Sequence, residues 1–398
     1  MDLRFTADEI GFREEVRAFF RSALPEDIRR KCTLGQWLTR DDTVRWQRTL
    51  HAKGWATPAW PVEWGGTGWN AVQQYIFKEE MHLAPAPEPL PFNVNMIGPT
   101  LIAFGTEEQK RHFLPRIARL DEWFCQGFSE PGAGSDLASL RTQARREGDV
   151  YIVNGQKIWT TLGHHATWCF LLVRTDNAAK RQQGITYLLM DMKTPGVTVR
   201  PIITIDGNHE FNEVFLDNVR IPLANRIGEE NKGWDYAKYL LSHERSGVAR
   251  VGLCKLRVRR AWEIAARVIV ADRPLSEQTH FRERIAKLDV ELKALEMLQM
   301  RAIAASAQAG KPDPMAPILK IRGAELQQAT SELLLELAGY EAMEFDIDFV
   351  RGKVEEPAGG EDWALTVAPS RYWLRHTSIS AGTNEIQRNI LAKSVLGL

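Results

Sequence analysis

Cysteine is scarce in this chain, with four among 398 residues, and they are scattered: Cys32, Cys125, Cys169 and Cys254. No Cys-x-x-Cys pair occurs, which excludes a zinc knuckle and a dithiol redox motif. We therefore expect reduced structural thiols in a cytoplasmic protein. Long apolar runs are missing too. Because no stretch of about 18 apolar residues is present, a transmembrane helix is not expected.

Net charge is also absent, since 51 Lys and Arg residues balance 51 Asp and Glu residues. Binding to nucleic acid or to a membrane surface normally depends on a basic excess, so neither partner is expected. A zero balance removes repulsion between copies and favours self-association. The opening residues MDLRFTADEI are acidic and lack a basic segment followed by an apolar one. Neither a secretory signal nor a transit peptide is predicted, and a cytoplasmic location is expected.

Residue patterns predict a multi-domain α+β protein with an N-terminal helical domain, a middle small β-barrel domain and a C-terminal helical domain, at residues 1–120, 121–232 and 233–398. Thr6 and Glu9 have the spacing of a capping box at the first helix. Asn154 and Gly155 predict the turn of a β-hairpin. The C-terminal domain is predicted to begin with one long helix over 232–271.

A glycine-rich turn follows a predicted strand in CQGFSEPGAGSDLASL, residues 125–140. Its backbone N–H groups, with the hydroxyls of Ser129 and Ser135, suit a phosphate or the polar edge of a ring. Ser135 and Asp136 are also placed to cap the next turn, so an ordinary tight turn explains the motif equally well. The stretch lacks Gly-x-Gly-x-x-Gly and a βαβ unit, which excludes a Rossmann fingerprint.

A second motif, NGQKIWTTLGHHATW, places a large aromatic ring beside a hydroxyl. Trp159 and Thr161 alternate along a predicted strand and so share one face, which suits a planar heterocycle. A hairpin with a core tryptophan is the alternative. His164 and His165 are interpreted as turn histidines, because no third ligand stands at metal-binding spacing and no metal site is expected.

A third motif, HTSISAGTNEIQRNIL, predicts a helix that begins after a run of small residues. Ala381 and Gly382 precede Thr383, a favourable N-cap residue. Such a helix start offers backbone N–H groups to an anion or a polar cofactor.

Taken in order, SEPGAGSD, GQKIWTT, NKGW and GTNEIQR resemble the motifs of the acyl-CoA dehydrogenase family, and the resemblance runs the full length of the chain. It implies an α domain, a β-barrel-like domain and a C-terminal four-helix bundle. It also implies FAD between the latter two domains, reaching into a neighbouring subunit. The implied reaction is oxidation of an acyl-CoA to its trans-2-enoyl-CoA in lipid metabolism, as in fatty acid β-oxidation. Flavin N5 would take the β-hydride, and electrons would pass to electron-transferring flavoprotein.

Carried over by position, the resemblance implies flavin contacts from Gln126, Phe128, Ser129, Gly134, Ser135, Trp159, Thr161, Gly339, Thr383 and Glu385. Thr161 would lie near N5, and Glu385 stands where the family often has Gln. Leu335 also stands at a Gln position, and the Arg-x-x-Phe-Gly stretch is poorly formed around Arg273. These departures suggest altered contacts between subunits. The implied assembly is a homodimer or homotetramer, or a heterotetramer with a homologous small subunit.

The usual position of the family's catalytic carboxylate holds Ala381, whose backbone N–H can still bind the thioester oxygen. The helix NKGWDYAKYLLSHERSGVARVG offers Glu244 instead, on the apolar stripe of Ala237 and Leu241. A lone carboxylate there should have a raised pKa, as a base requires. A buried Glu paired with an Arg from another helix is the alternative. A minority branch of the family carries its base before an Arg, here Arg245.

The implied substrate contacts are Ser135, Glu244, Ala381 and Gly382. Within the family the chain looks most similar to the large subunit of pimeloyl-CoA dehydrogenase, which implies a dicarboxylyl-CoA such as pimeloyl-CoA. Three alternatives stay open at this point. They are a flavin monooxygenase or oxidase on the same fold, a non-catalytic subunit of a hetero-oligomeric dehydrogenase, and a structural module without flavin.

Overall fold

The computed structural model describes residues 5–178, 180–244, 249–309 and 316–398, with the backbone alone for 242–244 and 304–309. Helices occupy both ends of this described part. Their bounds are α1 (Ala7–Ala23), α2 (Glu26–Leu34), α3 (Arg40–Lys53), α4 (Ala71–Leu83), α5 (Gly98–Phe104), α6 (Glu107–Arg119), α7 (Gly233–Glu244), α8 (Val251–Ala265), α9 (Thr279–Ala309), α10 (Ala316–Ala338), α11 (Ile347–Val350), α12 (Val367–Leu374) and α13 (Asn384–Leu391). None of them is long and apolar enough to cross a bilayer.

Strands fill the middle of the sequence: β1 (Phe124–Gly127), β2 (Gln143–Glu147), β3 (Val150–Lys157), β4 (Trp168–Arg174), β5 (Ile185–Asp191), β6 (Val197–Ile202) and β7 (Phe211–Pro222), with a short hairpin later, β8 (Ile269–Val270) and β9 (Arg273–Pro274). β2, β3, β7 and β6 pair antiparallel in that order. β4 pairs with β5 antiparallel and with β1 in parallel. A single register pair, Gln143 with Arg174, joins the two groups of strands into one sheet.

The chain forms two compact units, and each is described by itself. The sheet unit comprises residues Thr43–Gly68 and Pro89–Glu244, and the bundle unit comprises Met1–Asp42, Trp69–Glu88 and Arg245–Leu398. The order of helices, strands and helices along the chain agrees with the predicted fold class. The three predicted domain boundaries stay a prediction.

The core of the sheet unit lies where β1, β4 and β5 meet α5, α6 and α7. Phe124, Phe170 and Tyr187 are fully buried there, and Ala237 and Leu240 of α7 join the same cluster. Burial of these large side chains anchors α7 on the sheet, each contributing roughly 2 kcal/mol.

The core of the bundle unit lies between α8, α9 and α10. Gly323 of α10 packs directly on Ala249, where a Cβ would lie 2.6 Å from the Ala249 Cα. Nearby, the Lys255 ammonium bridges the carboxylates of Glu79 and Glu296 at 2.5 and 2.6 Å. The Tyr75 hydroxyl donates to the same carboxylates, which ties α4, α8 and α9 together.

Some local predictions are confirmed and others are wrong. The capping box of Thr6 and Glu9 is formed. The hairpin at Asn154–Gly155 is wrong, because β3 runs through this pair with a bulge against β7. Two features explain this: the Asn154 amide binds Asn218 of β7, and a Cβ on Gly155 would lie 2.5 Å from Thr142 Oγ1.

The single helix predicted over 232–271 is also wrong. α7 ends at Glu244, and α8 begins at Val251 after Arg250, whose φ is +47°. A left-handed residue cannot continue a right-handed helix, so the two segments are separate.

Candidate active site

The glycine-rich motif forms a tight turn directly after β1. Glu130 and Ala133 exchange both backbone hydrogen bonds at 3.0 Å, which closes the turn. The Glu130 carboxylate then accepts from the backbone N–H groups of Arg141 and Thr142, at 2.6 and 2.9 Å. One side chain therefore holds both ends of the 130–142 segment.

A buried ion pair fixes this turn on the sheet. Lys157, at the end of β3, donates from Nζ to Glu130 Oε1 at 2.8 Å and to the carbonyls of Phe128 and Leu172 at 3.2 and 2.7 Å. Burial lowers the pKa of Lys157. Burial opposes ionisation of Glu130, but Lys157 and the two N–H groups bring the pKa of its carboxyl below the usual value. Sequence reasoning did not identify this ion pair. The signal that could have indicated it is Lys157, a charged residue at a buried position of a strand.

The predicted cofactor residues of this segment lie in different surroundings. Phe128 is buried against Phe170 and Tyr187, whereas Gly134 and Ser135 are exposed. Gln126 lies on β1, and its buried Nε2 has no hydrogen-bond partner among the described residues. The expected cap at the next turn is wrong, since Asp136 binds Arg181 at 2.9 Å and makes no cap hydrogen bond.

The second motif leaves the sheet before its aromatic residue. β3 ends at Lys157, and the Ile158 N–H donates to the Ser129 carbonyl at 3.0 Å, which brings the two motifs together. Trp159 has a φ of +60° and is 55% exposed, with its ring edge-on to Phe211 at 6.0 Å. The predicted strand alternation of Trp159 with Thr161 is therefore wrong, because both follow the strand in a turn.

The third motif forms the predicted capped helix start. The Thr383 hydroxyl accepts from the Ile386 N–H at 3.2 Å, as an N-cap should. Ala381 and Gly382 are left-handed, with φ of +54° and +83°. Gln387 reaches back from α13 and donates to both of their carbonyls, at 3.3 and 3.4 Å. A Cβ on Gly382 would lie 2.6 Å from the Gln387 Nε2, and the φ of +83° favours glycine there.

Backbone geometry leaves a donor free at this loop. Within the described ranges, the Ala381 N–H makes no hydrogen bond. An N–H group in a half-buried loop is a ready partner for an external acceptor such as a carbonyl oxygen. Each of these donors lacks a partner among the described residues. Taken by itself, the Gln126 amide fits a polar group such as a cofactor edge, and the Ala381 N–H fits an oxygen atom of a ligand.

Other side chains hold α13 and set its charge. The buried Lys320 donates to Asn384 Oδ1 at 2.9 Å, a contact that no local sequence pattern predicts. The exposed Glu385 carboxyl has a lowered pKa, because the backbone N–H of Glu385 and the Thr383 hydroxyl stabilise its charged form. Since a carboxylate only accepts, Glu385 can contact a cofactor only through a donor group. Gly339, with φ of +54°, follows the end of α10.

The candidate base lies at the C-terminal end of α7. Tyr236, Ala237 and Leu240 are buried, so the face that Glu244 continues is the core face of this helix. The Glu244 side chain and all of Arg245 lie outside the described residues. The assignment of Glu244 as base stays a prediction.

Comparison with known proteins gives one consistent result. Models of the acyl-CoA dehydrogenase N-terminal, middle and C-terminal domains match residues 6–121, 125–219 and 231–396. Acyl-CoA dehydrogenase IpdE1 of Mycobacterium tuberculosis is 38% identical over 362 residues, 89% of this chain and 87% of that protein.

Two solved structures match with TM-scores of 0.85, each over 100% of this chain and 99% of the other: the ChsE4–ChsE5 complex of Mycobacterium tuberculosis, at 32% identity, and the Tcur3481–Tcur3483 steroid ACAD, at 31%. The three domain matches and the full-length relatives agree with the motifs described above. The chain therefore belongs to the acyl-CoA dehydrogenase family and is an oxidoreductase of that family.

Proposed function

We propose that this chain oxidises an acyl-CoA thioester to its trans-2-enoyl-CoA with FAD as cofactor, and that Glu244 removes the α-proton. The observation that carries the proposal is the buried face of α7 at Ala237 and Leu240. Helical spacing in the sequence assigns position 244 to the same face. An apolar setting raises the pKa of a carboxyl group and so favours a base that works near neutral pH.

The residues proposed to hold FAD are Gln126, Phe128, Ser129, Gly134, Ser135, Trp159, Thr161, Gly339, Thr383 and Glu385. The unpartnered Gln126 Nε2 supports this assignment, since a buried amide donor without an acceptor is costly. The exposed Trp159 ring supports it as well, because it offers a planar apolar surface. When bound, FAD would supply the hydride acceptor.

Glu244 and Ala381 have complementary parts in the proposed chemistry. Removal of the α-proton by Glu244 places negative charge on the thioester oxygen. The free N–H of Ala381 would stabilise that charge, and one such donor is typically worth about 3–4 kcal/mol of the barrier. Alanine supplies this N–H as well as any residue, so the loop needs no carboxylate once the base is at Glu244. Ser135 and Gly382 are proposed to contact the substrate.

For the substrate, we favour an acyl-CoA with a bulky ring of the steroid class. The full-length likeness to a structure described as a steroid ACAD supports this class. A dicarboxylyl-CoA such as pimeloyl-CoA, suggested by the sequence resemblance, is the second candidate. Reduction of the flavin by steroid-type, dicarboxylyl and straight-chain acyl-CoAs in parallel would distinguish them.

For partners, we propose an assembly with a second, homologous chain and electron transfer to electron-transferring flavoprotein. The description of the ChsE4–ChsE5 structure as a complex of two proteins supports the first part. The departures at Leu335 and Arg273 from the expected subunit contacts support it too. Transfer of electrons to oxygen instead would indicate a monooxygenase or oxidase, and oxygen uptake during turnover measures it.

The experiment that tests the proposal is Glu244→Gln, with Glu263→Gln on the exposed face of α8 as its matched control. Glu244→Gln keeps the shape but loses the proton acceptor. The flavin absorbance should be retained, while acyl-CoA-dependent bleaching slows by about 100- to 10,000-fold. The control should bleach at the parental rate.

Two results would contradict this reading. Bleaching of Glu244→Gln at the parental rate would place the base elsewhere, on this chain or on a partner. A protein that is colourless and cannot be reconstituted with FAD would remove the flavin assignment and leave a structural module.

A further inference from the structure

Three histidine rings and one asparagine amide form a cluster next to the turn that carries Trp159 and Thr161. The rings of His164 and His209 stack at 3.9 Å with an interplanar angle of 22°, and His165 lies 4.0 Å from His164. Within the described residues no group of His, Cys, Asp and Glu could hold a metal ion. A hydrogen-bonded network connects the cluster instead.

Asn212, at the start of β7 and fully buried, is the centre of this unit. Its Nδ2 donates to the Thr160 carbonyl at 3.0 Å and to His164 Nδ1 at 3.2 Å. Its Oδ1 accepts from His209 Nε2 at 2.8 Å. The backbone carbonyl of Asn212 also accepts from the Thr160 N–H at 3.0 Å. One residue thus binds both backbone groups of the residue between Trp159 and Thr161.

The network dictates where the protons are. A backbone carbonyl only accepts, so the Asn212 amide nitrogen, with its two protons, must face Thr160. The same nitrogen faces His164 Nδ1, which must then be unprotonated. His209 must carry its proton on Nε2, because it faces the Asn212 oxygen. Protonation of His164 Nδ1 would set two donors against each other.

We propose that Asn212, His164 and His209 are positioning residues that fix the turn of Trp159 and Thr161 only while His164 Nδ1 is unprotonated. The inference rests on the proposed function, in which this turn flanks FAD. Loss of the Asn212 contact would free the backbone of Thr160 and, with it, the orientation of its two neighbours. FAD affinity should therefore depend on the state of this cluster.

Burial and the neighbouring histidines disfavour a charged His164 ring. Burial, and then the nearby His165 and His209, lower the pKa of His164 from 6.5 to about 4. Among the described residues, these two histidines are the titratable groups that face it. The unfolded chain takes up the proton near pH 6.5, whereas the folded chain resists it. The stability of the turn should therefore be full above pH 6.5 and be lost as the pH falls toward 4.

The test is Asn212→Asp, which keeps the side-chain shape but places an acceptor against His164 Nδ1. A carboxylate repels the Thr160 carbonyl, and it accepts most strongly from a protonated His164 ring. The variant should therefore hold the turn better at pH 5 than at pH 8, the reverse of the parent. Hydrogen exchange of the peptide over 158–165 in the full-length protein, corrected for intrinsic rates, measures this. Between pH 8 and pH 5 the exchange rate should change by about 10-fold, in opposite directions in the parent and in Asn212→Asp. The dissociation constants for FAD should follow the same order.

Two further variants keep the test decisive. His164→Phe retains the ring contacts but cannot titrate, so exchange over 158–165 should lose its dependence on pH even if Asn212→Asp does not fold. His280→Gln, at an exposed histidine of α9, should behave as the parent.

The outcomes separate the two proposals. If Asn212→Asp keeps the parental direction, or His164→Phe keeps the parental slope, the positioning role is overturned. If the exchange pattern reverses but no FAD binds, the positioning role stands and the flavin assignment fails. If FAD binds and neither variant alters exchange, the cluster is only part of the packing.

Discussion

At the scale of single residues, Ala381 combines strain with a backbone N–H that has no partner in the described part of the chain. A non-glycine residue at φ of +54° costs roughly 1 kcal/mol, and the loop nevertheless holds this geometry through Gln387. Such strain is common where a backbone group has a function. The proposed role needs only the N–H of Ala381 and no part of its side chain.

Ala381→Gly should therefore keep the rate of flavin bleaching within about 3-fold of the parent, because it relieves strain and retains the donor. Ala381→Pro removes the N–H and fixes φ near −65°, and the rate should fall by about 100- to 1,000-fold. Stopped-flow bleaching measures both. A parental rate in Ala381→Pro would show that this N–H does not bind the thioester oxygen.

At the scale of elements, the start of α8 depends on a charged cluster. Glu88 contacts His82 Nε2 at 2.9 Å, and Lys78 Nζ and Arg250 Nε at 3.7 Å. Arg250 precedes α8 in a left-handed conformation without a side-chain cap. Burial opposes ionisation of Glu88, but Lys78 and Arg250 lower its pKa well below the usual carboxyl value. The ion pair with Glu88 holds Arg250, the residue directly before α8.

Glu88→Gln should lower the free energy of unfolding by about 1–3 kcal/mol, because it leaves cationic neighbours without their counter-ion. Urea denaturation followed by circular dichroism measures the change. Glu63→Gln, at an exposed position, is the matched control and should leave the midpoint unchanged. Equal midpoints for Glu88→Gln and the parent would contradict the role of the cluster.

Elements whose determinants are close in sequence could be predicted, and those set by distant contacts could not. Thr6 and Glu9 form their capping box from residues three apart, and the Thr383 hydroxyl caps α13 through the N–H three residues later. Asn154 and Gly155 have the composition of a turn, yet contacts with Asn218 and Thr142 make them a bulge. Propensity is a local quantity, and tertiary contacts overrode it here.

The candidate site follows the same rule. Motif residues such as Trp159 and Thr383 were identified from local sequence, whereas their supports come from other elements. Asn212 lies more than 50 positions from the turn that it holds, and Lys320 lies 64 positions from Asn384. No spacing pattern connects such pairs, because they meet only after the sheet and the bundle have formed.

At the scale of the whole molecule, the segment after Gly339 exposes large apolar side chains. Tyr340, Met343 and Phe345 are 92%, 79% and 51% exposed on the single chain. Such a group of residues is typical of an interface. This apolar segment follows Leu335, a position at which the sequence departs from the expected contacts between subunits. Its exposure agrees with the proposed partner chain.

Met343→Glu should therefore weaken assembly, because it places a charge in a surface that association would bury. Multi-angle light scattering should show a smaller species than the parent at the same concentration. Ile10→Glu, at an exposed apolar residue of α1, is the control and should assemble as the parent does. An unchanged mass for Met343→Glu would separate this segment from the interface.

The Lys157–Glu130 pair has a consequence for how such sequences can diverge. Removing either partner leaves a buried charge uncompensated, at a cost of roughly 3–5 kcal/mol, whereas replacing both by apolar residues is often neutral. Each single change should therefore destabilise the fold severely. The double change also leaves the Arg141 and Thr142 N–H groups and the Phe128 and Leu172 carbonyls without these partners, so it should be costly here as well. The two positions, 27 residues apart, should accordingly be retained together. The glycine-rich turn that they fix would be preserved in this lineage even if selection on the cofactor were relaxed.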